Sequence, residues 1–117
     1  MKLTTAHLIV NPCDDEEDNM AMLCCHGNND EMFMLSRYPD EDDVDLIWDY
    51  NDPVPVEGPK VTLGDTTLLI ELAAGDAHAL GGNHQLTITH STAASDLADV
   101  EQTLQTILKG AGTFIRI

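Results

Sequence analysis

The chain has 117 residues, enough for one domain that buries a core without disulfide staples, and its 43% hydrophobic content separates it from disordered chains. A formal net charge of −16, from 21 acids against five lysines and arginines, excludes binding driven by nucleic-acid phosphates and disfavours anionic membranes. No apolar run approaches the roughly 18 residues that a membrane-spanning helix needs. The polar start Met1–His7, soon followed by Asn11-Pro12, does not read as a signal peptide, so a cytoplasmic location is expected. Three cysteines, Cys13, Cys24 and Cys25, cannot form a fully paired framework, which agrees with a reducing compartment.

In chain order, Leu3 to Val10 reads as a first strand, followed by an acidic loop from Asp14 to Asp18. Met20 to Cys25 and Glu31 to Arg37 read as a strand pair around the turn His26–Asp30, where Gly27, Asn28 and Asn29 supply turn conformers. Met20, Met22, Met32 and Met34 alternate along this pair, the pattern of core filler. Tyr38–Asp42 is a second acidic connection. It leads into Asp43–Tyr50, where Val44, Leu46, Trp48 and Tyr50 alternate with Asp43, Asp45, Ile47 and Asp49. Such period-two alternation marks a half-buried strand. It predicts a wet face carrying Asp43, Asp45 and Asp49 in register, with Trp48 and Tyr50 pinning the strand to the fold.

Asn51 to Pro59 holds three prolines and reads as a stiff loop or sheet edge. Lys60–Leu63 and Thr66–Leu72, joined by Gly64-Asp65, form the clearest hairpin. A single helical turn is expected around Asp76–Leu80, ended by Gly81-Gly82, and a strand over Asn83–His90. Ser95 to Lys109 predicts the principal helix, capped by Ser95 or Asp96. Leu97, Val100, Leu104, Ile107 and Leu108 form its apolar stripe. Thr113 to Ile117 adds a final strand. The expected fold class is α+β, a largely antiparallel sheet of six to eight strands with one C-terminal helix packed on it, as a single domain over residues 1–117.

Catalytic and cofactor signatures are missing from the sequence. Cys24 and Cys25 are adjacent and would face opposite ways on a strand, and no nucleophile elbow, phosphate loop or zinc-protease motif is present. His84 and His90 stand roughly 20 Å apart on a strand, too far to share an ion. The acidic runs Asp14–Asp18 and Asp40–Asp43 lack the alternating ligand pattern of a calcium loop. A non-enzymatic protein without cofactor or bound metal is therefore expected.

Fifteen of the 21 acids lie between Asp14 and Glu57, where Arg37 is the only Lys or Arg. Such lopsidedness favours a surface built to meet positive charge on another protein. Two other readings stay open: a small calcium-binding protein using the acidic loops, and a structural domain whose acidity serves solubility.

From Asp40 onward the chain resembles the immunity protein 10 family of bacterial polymorphic-toxin systems. The resemblance is carried by Asp40-Glu41-Asp42-Asp43, by Leu46-Ile47-Trp48-Asp49-Tyr50 with Asn51-Asp52 after it, and by the hairpin from Val61-Thr62-Leu63 to Leu68–Leu72. The strand Leu86-Thr87-Ile88 and the helix Asp96–Leu108 continue it. It implies a small cytoplasmic α+β protein that neutralises a cognate toxin, most simply 1:1, and has no activity of its own. The residues expected to meet that partner are Asp40, Glu41, Asp42, Asp43, Asp45, Asp49 and Asp52.

Overall fold

The computed structural model describes residues 1–14 and 20–117, with the backbone alone for Pro12, Cys13 and Asp14. The acidic loop expected at Asp14–Asp18 thus falls almost wholly outside the described residues. Within them are ten strands and one α-helix, the helix coming after nine of the strands rather than alternating with them, as in an α+β protein. The strands are β1 Lys2–Thr4, β2 Ile9–Asp14, β3 Met20–His26, β4 Met32–Arg37, β5 Val44–Trp48, β6 Val54–Val56, β7 Lys60–Leu63, β8 Thr67–Glu71, β9 Gln85–Thr89 and β10 Thr113–Arg116. Helix α1 is Ala94–Leu108, and a 3₁₀ helix, Ala74–Leu80, lies between β8 and β9.

The strands form two sheets of five, where the sequence predicts one sheet of six to eight. The first sheet is a meander, β2-β3-β4-β5-β6, with every pair antiparallel. In the second, order β1-β9-β8-β7-β10, an antiparallel centre is flanked by β1, parallel to β9, and β10, parallel to β7.

The division begins inside the stretch read as one strand, Leu3 to Val10. Leu3, Thr5 and Leu8 are buried, so the inward positions slip from odd to even numbers between Thr5 and Leu8. A continuous strand cannot change faces in this way. Thr5 N–H still donates to Thr89 O at 2.9 Å in the second sheet, whereas Leu8 N–H donates to the Thr92 hydroxyl at 2.9 Å and the chain departs into β2. The proline-rich segment makes the return journey. β6 ends at Val56 on the first sheet, and by Lys60 the chain is in the second.

Both sheets and the helix close on one contiguous core. Leu23, Phe33, Leu35 and Leu46 from the first sheet and Val61, Leu68, Ile70 and Ile88 from the second are fully buried. Each such side chain contributes about 1.5–3 kcal/mol relative to remaining exposed. The apolar stripe of α1 is buried as its spacing predicts, joined by Thr103. Its N-cap is Ala93, however, with no side-chain cap hydrogen bond, so neither Ser95 nor Asp96 plays that part. Asp96 lies in the first turn, where the positive end of the helix dipole favours it. The 3₁₀ helix buries Ala79 and Leu80 and ends at Gly81 with φ 64°, a left-handed conformation that glycine adopts without steric cost.

Candidate partner-binding surface

Strand β5 carries the expected alternation for five residues. Val44 and Leu46 are completely buried, while Asp45 and Ile47 lie on the other side of the strand and are only half-buried. The alternation then stops. Asp49 and Tyr50 have φ of 53° and 66°, and Asn51 donates to Trp48 O both from its backbone N–H (3.1 Å) and from its side-chain Nδ2 (2.8 Å). Two successive left-handed residues turn the chain out of the sheet, so three aspartates in register do not occur. Only Asp43 and Asp45 remain neighbours. Asp49 sits roughly 20 Å from Asp43 at about 3.3 Å per residue. Trp48 packs against the core as expected, but Tyr50 is 66% exposed and pins nothing. A bulky non-glycine residue at positive φ is a conformational outlier, and here it holds an aromatic ring in water, its hydroxyl 3.5 Å from His26 Nδ1.

At the other end of β5, Asp40, Glu41, Asp42 and Asp43 are all exposed on the β4–β5 turn. Glu41 N–H donates to Tyr38 O at 3.1 Å, and Tyr38, Pro39, Asp40 and Glu41 line a shallow depression. Arg37, the one Lys or Arg between Asp14 and Glu57, does not neutralise the cluster through a carboxylate. Its Nε donates to the backbone oxygen of Glu41 at 3.1 Å, and its Nη1 donates to Ile107 O at 3.3 Å and to Lys109 O. The guanidinium therefore caps the C-terminal end of α1 and ties the acidic turn to it.

Ion pairs are found elsewhere. Lys60–Glu71 (4.0 Å), Arg116–Asp65 (2.8 Å) and Arg116–Glu101 (3.9 Å) belong to the second sheet, its β7–β8 turn and the helix. Among the described residues no ion pair involves an acid from Asp40 to Asp52. Partial burial raises the pKa of the Asp45 carboxyl above the ordinary range, and the charge of Asp43 raises it further. The ionised form of Asp45 is thus held at a cost that a cation brought alongside would relieve.

The meander sorts the acids into two groups. The β4–β5 turn lies at one end of the first sheet, the end at which Asp14 and Met20 also stand. Asp30, Asp49 and Asp52 belong to the β3–β4 and β5–β6 connections at the opposite end. Asp40, Glu41, Asp42, Asp43 and Asp45 are brought together; Asp49 and Asp52 are not with them.

Other candidate chemistry is sparse. Among the described residues no three of His, Cys, Asp and Glu gather as ligands around one point. Cys24 and Cys25 do face opposite ways. Burial, then the neighbouring Cys24 and Glu31, push the Cys25 thiol up to about 12, and burial also raises Cys24. Neither sulfur is held as a reactive thiolate near neutral pH.

A feature the sequence reading misses is the outer face of the first sheet. Register places Ile9 beside Cys24, Cys24 beside Met34, and Met34 beside Ile47, all on the side away from the core. Met20 and Met32 are buried, but register puts them on this same outer side and outside the contiguous core; Met22 and Met34 are only partly covered and Ile9 is 40% exposed, so the four methionines do not fill the core between the sheets. Extending the alternation of β5 across β2, β3 and β4 would have exposed this second apolar surface. Compared with protein-family models, curated proteins and solved structures, the chain matches none.

Proposed function

We propose that this chain is an immunity-type protein, without activity of its own, that binds a cognate cationic bacterial toxin domain 1:1 in the cytoplasm. The contact is made by the acidic turn Asp40–Asp43 together with Asp45. One observation carries the reading: these carboxylates are grouped at one end of the first sheet and have no ion-pair partner within the described residues, while the ion pairs lie in the second sheet, its β7–β8 turn and the helix. The resemblance of residues 40–108 to the immunity protein 10 family supports it. A coherent negative surface can raise association to about 10⁸–10⁹ M⁻¹s⁻¹ at low salt. Arg37 keeps the turn in place beforehand, so less conformational entropy is lost on docking.

The test is titration calorimetry and stopped-flow mixing against the toxin domain encoded beside this gene. Replacing Asp40, Asp42, Asp43 and Asp45 together by Asn is expected to weaken binding by about tenfold or more, chiefly through slower association that depends less on added salt than the wild type's does. Replacing Asp49 and Asp52 by Asn is expected to do less, because they stand at the far end of the strand. Unchanged affinity of the fourfold variant would sink the proposal.

A further inference from the structure

The first sheet has one face in the core and another that no helix or strand among the described residues covers. Its inner positions, Leu23, Phe33, Leu35 and Leu46, have no exposure. On its outer side Ile9, Met22, Cys24, Met34 and Ile47 are apolar and half-buried to exposed, while Met20, Met32 and Ser36 on the same side are buried, so the open strip runs through the middle of the sheet. Antiparallel sheets with one wet face ordinarily alternate apolar-in and polar-out, so an apolar outer face is a departure that needs a reason. Unbranched methionines at its centre give it an adaptable surface of the kind used to receive partner side chains. One rim carries Asp43 and Asp45; the other carries His26 and the strained, projecting Tyr50.

We infer that this outer face is the docking surface for an amphipathic, positively charged helix of a partner protein, whose apolar side lies on Met22, Met34 and Ile47 while its Lys or Arg side chains reach Asp43 and Asp45. The inference rests on the cationic-partner reading above and adds where the partner lies and what shape it has. Charge selects this occupant. A second copy of the chain would bring a like net charge of −16 against this one, whereas a basic helix would find acids beside an apolar strip. Docking as an added strand is disfavoured, because β2 contains Pro12 and β6 contains Pro55, each lacking a backbone donor at a sheet edge. Five strands at about 4.8 Å spacing and roughly 20 Å in length present on the order of 400 Å², about half of what one partner buries in a standard interface. The acidic turn and Tyr50 supply adjoining area for the remainder.

The probe is a peptide of about 18 leucines and lysines arranged at helical period, compared with a scrambled peptide of the same composition. Binding is read by calorimetry and by the methionine methyl signals of the wild-type protein at low salt. The expected result is about tenfold or greater preference for the periodic peptide, movement of the Met22 and Met34 methyls with Met1 unmoved, and loss of the preference in the variant Met22→Gln/Met34→Gln/Ile47→Gln. Equal binding of both peptides without movement of Met22 and Met34 would overturn the docking face and leave the charge-driven reading standing. Binding of neither would remove both. Concentration-dependent dimerisation that moves the same methyls would make the face a contact between copies and overturn the inference. Because the methyl signals are read on the wild type, a misfolded variant would not spare it.

Discussion

Cys24 and Cys25 are adjacent in β3, yet the pleat sends one to each side of the sheet, and their chemistry diverges accordingly. The thiol of Cys25 is held at about 12 against an ordinary 9.0. With the folded value above the unfolded one, the thiol's contribution to stability is complete below pH 9 and is lost as pH rises toward 12. The slope it adds approaches about 1.4 kcal/mol per pH unit in that window. Urea unfolding under reducing conditions at pH 8, 9 and 10 should show a steeper loss for the wild type than for Cys25→Ala, whatever the variant's packing deficit at pH 8. Equal slopes would show that the sulfur is not held in its protonated form. The opposite facing of this pair is plain from alternation alone. The fate of Tyr50 is not, because left-handed backbone at Asp49 and Tyr50 arises from the turn closed by Asn51 and leaves no mark in the hydrophobic pattern.

Among the elements, α1 shows how a helix end is secured from a distance. Its last carbonyls are met by Arg37, 70 residues away in sequence from Ile107. Arg37→Ala is expected to cost about 1.5 kcal/mol in urea unfolding, the low end for hydrogen bonds to a charged group because two of its three bonds are exposed, and to speed amide exchange in the last turn of α1. Arg37→Lys should recover little, since an ammonium cannot span carbonyls of the helix end and the β4–β5 turn in one planar fork. Full stability of Arg37→Ala would mean that solvent serves these carbonyls equally well. The helix stripe and the β3–β4 and β7–β8 hairpins are legible from local period and turn residues. The cap is invisible because its partner is remote. Two sheets look like one in the sequence because the change of inward phase between Thr5 and Leu8 is hidden in a stretch that reads as one continuous strand. The acidic turn, too, is legible directly from Asp40–Asp43, whereas the departure of Asp49 from the strand depends on a backbone reversal.

For the molecule as a whole, a net charge of −16 opposes compaction. Raising salt from about 10 to 150 mM shortens the screening length from about 30 to 8 Å, so the Tm should rise in that interval. Asp45 adds a related pH effect: its raised pKa makes its contribution to stability largest below its ordinary 3.8 and lost as pH rises through the folded value. Mild acidification should therefore stabilise the protein, and Asp45→Asn should blunt that response. A Tm indifferent to salt would mean that the acids are spaced widely enough not to repel one another.

The two sheets also differ in when they can form. Pairing in the first sheet links residues 9–56 as a local meander, while the second cannot be completed until Lys2–Thr4 and Thr113–Arg116 are both in place. On a chain emerging from the ribosome the meander can therefore pair before β10 has been made, and Leu23, Phe33 and Leu46 then stand without the second sheet and helix that cover them in the finished fold. Fifteen of the 21 acids lie between Asp14 and Glu57, so two such half-made chains would repel each other while the second sheet is incomplete.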